Sequence, residues 1–75
     1  MSIQIIKDCI DAGSECFVFN NDFLRSQIEE IKQYANEKDY FYFTNSYGFS
    51  LSFNRQKARV IALYPYKMHR IYSLI

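Results

Sequence analysis

Hydrophobic and polar positions alternate along this chain with a period that changes several times, and each change marks an element. In residues 2–12, Gln4, Lys7, Asp8 and Asp11 recur at i, i+3, i+4, i+7, and Ile3, Ile5, Ile6, Cys9 and Ile10 fill the opposite arc. That spacing predicts a helix, with Gly13 where a left-handed cap belongs. The competing reading is a strand, because isoleucine favours strands and residues 11–14 suit a hairpin loop. Residues 15–19 read as a short edge strand, with Cys16 and Val18 on one face and Phe17 and Phe19 on the other. Asn20, Asn21 and Asp22 carry the short polar side chains that start helices. Phe23, Leu24, Ile28, Ile31, Tyr34 and Ala35 then share one face, which predicts an amphipathic helix over 22–36.

The rear of the chain switches to strand periods. Tyr40, Phe41, Tyr42, Phe43 and Thr44 form an aromatic run after Asp39. A turn at 45–48 with Gly48 last leads to Phe49, Leu51 and Phe53 alternating with Ser50 and Ser52. Residues 54–57 read as a second turn, and 58–64 as a third strand stopped by Pro65. This places Phe41, Phe43, Phe49, Leu51, Phe53, Ile61 and Leu63 towards the helix. It leaves Tyr40, Tyr42, Thr44, Ser50, Ser52, Val60 and Ala62 on the outer face. Residues 66–75 suit a fourth strand by composition, or a helix by the spacing of Met68, Ile71, Tyr72 and Ile75. The expected fold is α+β: an antiparallel β-meander of three to four strands over 39–75, packed on the 22–36 helix, with a short N-terminal helix and edge strand.

Composition supports a packed globule. The chain has 75 residues, is 49% hydrophobic and carries seven Phe and seven Tyr, so one small domain over 1–75 is expected. A chain this short buries only about 60% of the surface its unfolded form exposes, so its stability margin is thin. Charge adds an asymmetry. Residues 1–39 hold four Lys/Arg against eight Asp/Glu, net −4, and residues 40–75 hold five Lys/Arg and no acid, net +5. Such a split points to an anionic partner, to self-association, or to internal pairing of an acidic layer with a basic one.

Three groups are candidates for binding. Arg55, Lys57, Arg59, Lys67 and Arg70 form a cationic set that phosphates or acidic protein patches can meet; the plainer reading is a solvated edge that guards against strand pairing. Tyr40 and Tyr42 on the outer sheet face, with Tyr47 in the turn, can stack bases or anchor a protein interface. The alternative is that the first helix or a partner subunit covers that face and the tyrosines are core. Glu29, Glu30 and Glu37 line the second helix, but Arg25, Lys32 and Lys38 interleave with them, as on an ordinary solvated face.

Catalysis has little to work with. The one histidine, His69, and Cys16 in an apolar strand make a poor nucleophile pair. The six residues between Cys9 and Cys16 exceed usual zinc-ligand spacing, and there is no glycine-rich phosphate loop. No enzyme activity, cofactor or metal is expected. No secretory leader pattern or membrane-spanning run is seen, so a cytoplasmic protein with reduced thiols is expected.

With 66–75 as a helix, residues 22–75 would run helix, three strands, helix, an order similar to the double-stranded-RNA-binding domain; that domain's basic cluster at the last helix is only thinly matched by Lys67 and Arg70. In size and aromatic composition the chain also resembles phage accessory proteins that bind and inhibit a host enzyme or defence complex. The expectation is a small non-enzymatic interaction protein, phage-type inhibitor included, that binds a protein partner through its sheet face and basic turns. Nucleic-acid binding by the basic half is the alternative, and homo-oligomerisation a third outcome.

Overall fold

The structure is a computed structural model and describes residues 2–65. The chain is α+β. Helix α1 (Gln4–Asp11), strand β1 (Cys16–Phe19), helix α2 (Arg25–Glu37), strand β2 (Gly48–Leu51) and helix α3 (Arg55–Leu63) follow in order.

Helix α1 obeys its polar stripe. Ile6, Cys9 and Ile10 are buried, and Gln4 donates to Asp8 one turn on at 2.9 Å. Gly13 ends it in the left-handed region at φ 74°. There the Ser14 amide reaches the Cys9 carbonyl and the Gly13 amide the Ile10 carbonyl, both at 3.0 Å, which satisfies carbonyls the helix leaves open.

The same termination recurs in α2, with Asp39 (φ 61°) in the left-handed position. The Tyr40 amide bonds the Ala35 carbonyl at 2.8 Å and the Asp39 amide the Asn36 carbonyl at 3.2 Å. Asp39 therefore closes a helix rather than opening a strand. At the other end α2 starts three residues later than 22. Asn20–Asp22 forms a separate 3-10 turn, because Phe23 turns into the core in an extended conformation and breaks the helical path. The Gln27 carboxamide oxygen then accepts the Leu24 amide at 2.9 Å, the half of a capping box that satisfies the cap residue's own N–H.

β1 and β2 pair antiparallel, Cys16 opposite Leu51 and Val18 opposite Phe49. Those four residues share one face, and they close a core with Ile6, Cys9 and Ile10 of α1 and Ile31 and Ala35 of α2. Phe17 and Ser50 point to the other face. There α3 packs across both strands. The sheet is thus a middle layer, covered by α1 and α2 on one side and α3 on the other.

Two expectations about the rear half are corrected here. Residues 58–64 are not a third strand: 55–63 is α3, and 54–57 is its cap and first turn rather than a hairpin turn. The Asn54 carboxamide accepts the Lys57 amide at 3.0 Å, and Ala58, Ile61 and Ala62 are buried at i, i+3, i+4. The two alanines let the helix axis approach the sheet, and Leu63, expected inside, lies outside.

The second correction concerns phase. Residues 41–44 do run antiparallel beside β2, but only through the bridges Phe41–Ser52 and Thr44–Phe49. Between them the Phe43 amide bonds the Ser50 hydroxyl at 3.2 Å, and the Ser50 amide bonds the Phe43 carbonyl at 2.9 Å, so a side chain interrupts the ladder. The described residues therefore hold two strands and a flanking extended segment, not a three-strand meander. With this register Tyr40 and Tyr42 face the α1/α2 core, and Phe41 and Phe43 face away from it. Ser50 and Ser52, expected outside, are 0% exposed between sheet and α3. Phe53, expected inside, is exposed. The segment 66–75 lies outside the described residues.

Candidate functional site

The outer face of α3 presents the most distinctive surface among the described residues. A helix repeats its face every three to four residues, so Arg55, Arg59 and Leu63 fall on one stripe and Gln56, Val60 and Tyr64 on the next. All six are exposed, Leu63 at 65% and Val60 at 54%. The first half of this surface is cationic and the second apolar.

Its electrostatics are unusual. The first turn of α3 holds no acid, although the N-terminal end of a helix is its positive end and favours carboxylates. Arg55 and Lys57 stand there instead, with Arg59 one turn on. Lys57 is partly neutralised by Glu15 at 3.4 Å. Arg59 lays its guanidinium 5.5 Å from the centre of the Phe43 ring, a contact that orients the charge without cancelling it.

Beside the apolar half lies a groove of about 530 Å³, formed where the 45–47 turn meets the end of α3. Tyr47, Ala62, Leu63 and Tyr64 contribute to its walls. Asn45 builds the junction. Its carboxamide donates to the Ala62 carbonyl at 2.6 Å, and its oxygen accepts the amides of Tyr47 at 2.7 Å and Gly48 at 3.1 Å.

The residues singled out from the sequence divide. Arg55, Lys57 and Arg59 are gathered on α3; Tyr47 is not among them but lines the groove at the other, C-terminal end of that helix. Tyr40 does not: it is 7% exposed, and its hydroxyl donates to the Ser14 carbonyl at 2.9 Å. Burial foremost, then the nearby thiols and carboxylates, raises its phenol to about 12. Tyr42 is half-buried on the α1/α2 side, its ring 6.0 Å from Phe49 and under the Lys32 ammonium at 5.5 Å. Of the two tyrosines expected on an outer sheet face, Tyr40 is therefore core and Tyr42 packs half-buried against it. Lys67 and Arg70 lie outside the described residues. The reading from sequence missed Val60, Leu63 and Tyr64; their i, i+4 spacing with Gln56 and Arg59 is the signal that finds them.

Some of the acids elsewhere are engaged. Lys7 bonds Glu30 at 2.8 Å, and the Tyr34 hydroxyl donates to Asp11 at 2.6 Å, which raises the Tyr34 phenol. Cys9 and Cys16 are buried and not disulfide-bonded. The Cys16 thiol is pushed well up by its hydrogen bond with Cys9 and by burial, the opposite of what a nucleophile needs. Among the described residues no group of three His, Cys, Asp or Glu is placed to hold a metal, and no helix is long and apolar enough to cross a membrane.

Comparison with protein-family models, curated proteins and solved structures found no match.

Proposed function

We propose that this chain is a non-enzymatic interaction protein that binds a protein partner through the outer face of α3 and the adjoining 45–47 turn, and inhibits it by covering its surface. The observation that carries this reading is the exposed aliphatic pair Val60 and Leu63 beside the cations of α3. Neither serves the core, and apolar groups ringed by arginine are what protein interfaces use as anchors. Nucleic-acid binding is the second reading, favoured by three cations in the first two turns of one helix. Tyr47 and Tyr64 are exposed rings on which bases could stack, but the aliphatic Val60 and Leu63 on the same surface suit a protein partner better.

The test is affinity capture from a lysate of the source cell, before and after nuclease treatment. A captured protein that survives nuclease supports the first reading. Capture of nucleic acid that nuclease abolishes replaces it with the second.

A further inference from the structure

We propose, building on that reading, that the occupant of the α3 surface is an acidic, amphipathic helical segment of the partner protein: one large apolar side chain enters the groove beside Leu63, and carboxylates meet Arg59 and Arg55. The groove sets the first requirement. Both ends of the Asn45 carboxamide are already engaged, and Ala62, Leu63 and Pro65, with the rings of Tyr47 and Tyr64, favour an apolar side chain.

The helix sets the second. Arg59 lies about 6 Å and Arg55 about 12 Å along the axis from Leu63, following the rise of 1.5 Å per residue. A partner helix lying antiparallel along α3 matches that spacing with carboxylates about four and eight residues after its anchor. Its acids also fill the place that the first turn of α3 leaves to anions.

A second copy of this chain fits less well. Face-to-face pairing of two α3 helices brings like charges together, Arg59 against its own copy when antiparallel and Arg55 as well when parallel. Head-to-tail pairing needs the α1/α2 acids: Glu30 is bonded to Lys7, Asp11 to Tyr34 and Asp8 to Gln4, and the remaining two, Glu29 and Glu37, stand among Arg25, Lys32 and Lys38, which a second set of cations would also meet.

The experiment is a titration of the isotopically labelled full chain, followed by amide resonances, with a short stapled helical peptide. The peptide carries Leu at one end and Glu four and eight residues later; controls are the same peptide with Lys for Glu, oligothymidine, and dilution of the chain alone. Shifts at Asn45, Arg55, Arg59, Val60 and Leu63 with the Glu peptide and not the Lys peptide support the proposal. An Arg55→Gln/Arg59→Gln chain, which leaves the core untouched, then binds on the order of tenfold more weakly, and Leu63→Ala loses on the order of tenfold or more. No binding of either peptide, alongside nuclease-resistant capture through α3, overturns the acidic-segment inference alone. Shifts confined to α1 and α2, or tighter oligothymidine binding at Arg55 and Arg59, overturn this inference and the proposed function together. Concentration-dependent shifts of the same residues in the chain alone assign the surface to a second copy instead.

Discussion

The Asn45 carboxamide and the Ala62 carbonyl meet at 2.6 Å, joining the turn before β2 to the last turn of α3. With the two amides that Asn45 accepts, one side chain fixes the turn, the helix end and the groove between them. Asn45→Ala is expected to lower stability by about 2–3 kcal/mol, three bonds at roughly 1 kcal/mol each, measured by urea denaturation. A loss below about 0.5 kcal/mol, the scale of an ordinary surface change, would remove Asn45 from this role.

Gly48 and Gly13 are needed for different reasons, and alanine separates them. A Cβ on Gly48 would lie 1.9 Å from the Val18 carbonyl oxygen, so Gly48→Ala must break the β1–β2 pairing, and little folded protein is expected by circular dichroism. A Cβ on Gly13 meets nothing within 4 Å, and only the left-handed backbone resists it. Gly13→Ala should cost about 1–2 kcal/mol and keep the fold.

Asp39 occupies the equivalent left-handed site after α2. Replacing it by Gly removes the steric cost, so Asp39→Gly should raise stability by up to about 1 kcal/mol and increase the thermal midpoint. A lower midpoint would mean that the Asp39 side chain contributes more than its backbone strain costs.

Tyr40 gives a pH signature. Its folded-state pKa of about 12 lies above the ordinary tyrosine value near 10. The stabilisation from holding the phenol neutral is therefore whole below pH ~10 and is lost as pH rises through ~12. Unfolding midpoints measured across that window should fall, and Tyr40→Phe should flatten the fall while losing the bond to Ser14.

The buried thiols should be inert. Cys16 is 0% and Cys9 4% exposed, and Cys16 holds its proton more tightly than a free thiol. A chromogenic disulfide reagent should label neither in the native chain and both in denaturant. Fast native labelling would show that the α1–β1 contact opens readily.

Helix α1 was legible because two signals agree: the Gln4, Lys7, Asp8, Asp11 stripe and Gly13 at its end favour a helix over the strand that its isoleucines suit. Tyr40 to Phe43 offered no such guide: every residue is aromatic, so nothing in the pattern fixes which set turns inward, and a one-residue change of phase exchanges core for surface. The actual phase follows from the α2 ending, where Tyr40 bonds Ala35 and enters the core beside it. Residues 58–64 misled through Val60 and Ile61, which favour strands. The Asn54 cap and the Ala58, Ile61, Ala62 spacing were the stronger signals, and they outweigh propensity once the helix buries that face on the sheet. The basic cluster could be seen in the sequence; its apolar companions could not until the segment was known to be helical.

Binding through the α3 face is what separates this protein's proposed role from the alternatives. Capture of a partner should be compared for the natural chain, for Arg55→Glu/Leu63→Asp on α3, and for Leu24→Asp/Glu29→Lys on the opposite layer, each first shown to be folded. The account predicts that the α3 variant loses the partner and the α2-side variant keeps it. Normal capture by the α3 variant, or loss only in the α2-side variant, would contradict it.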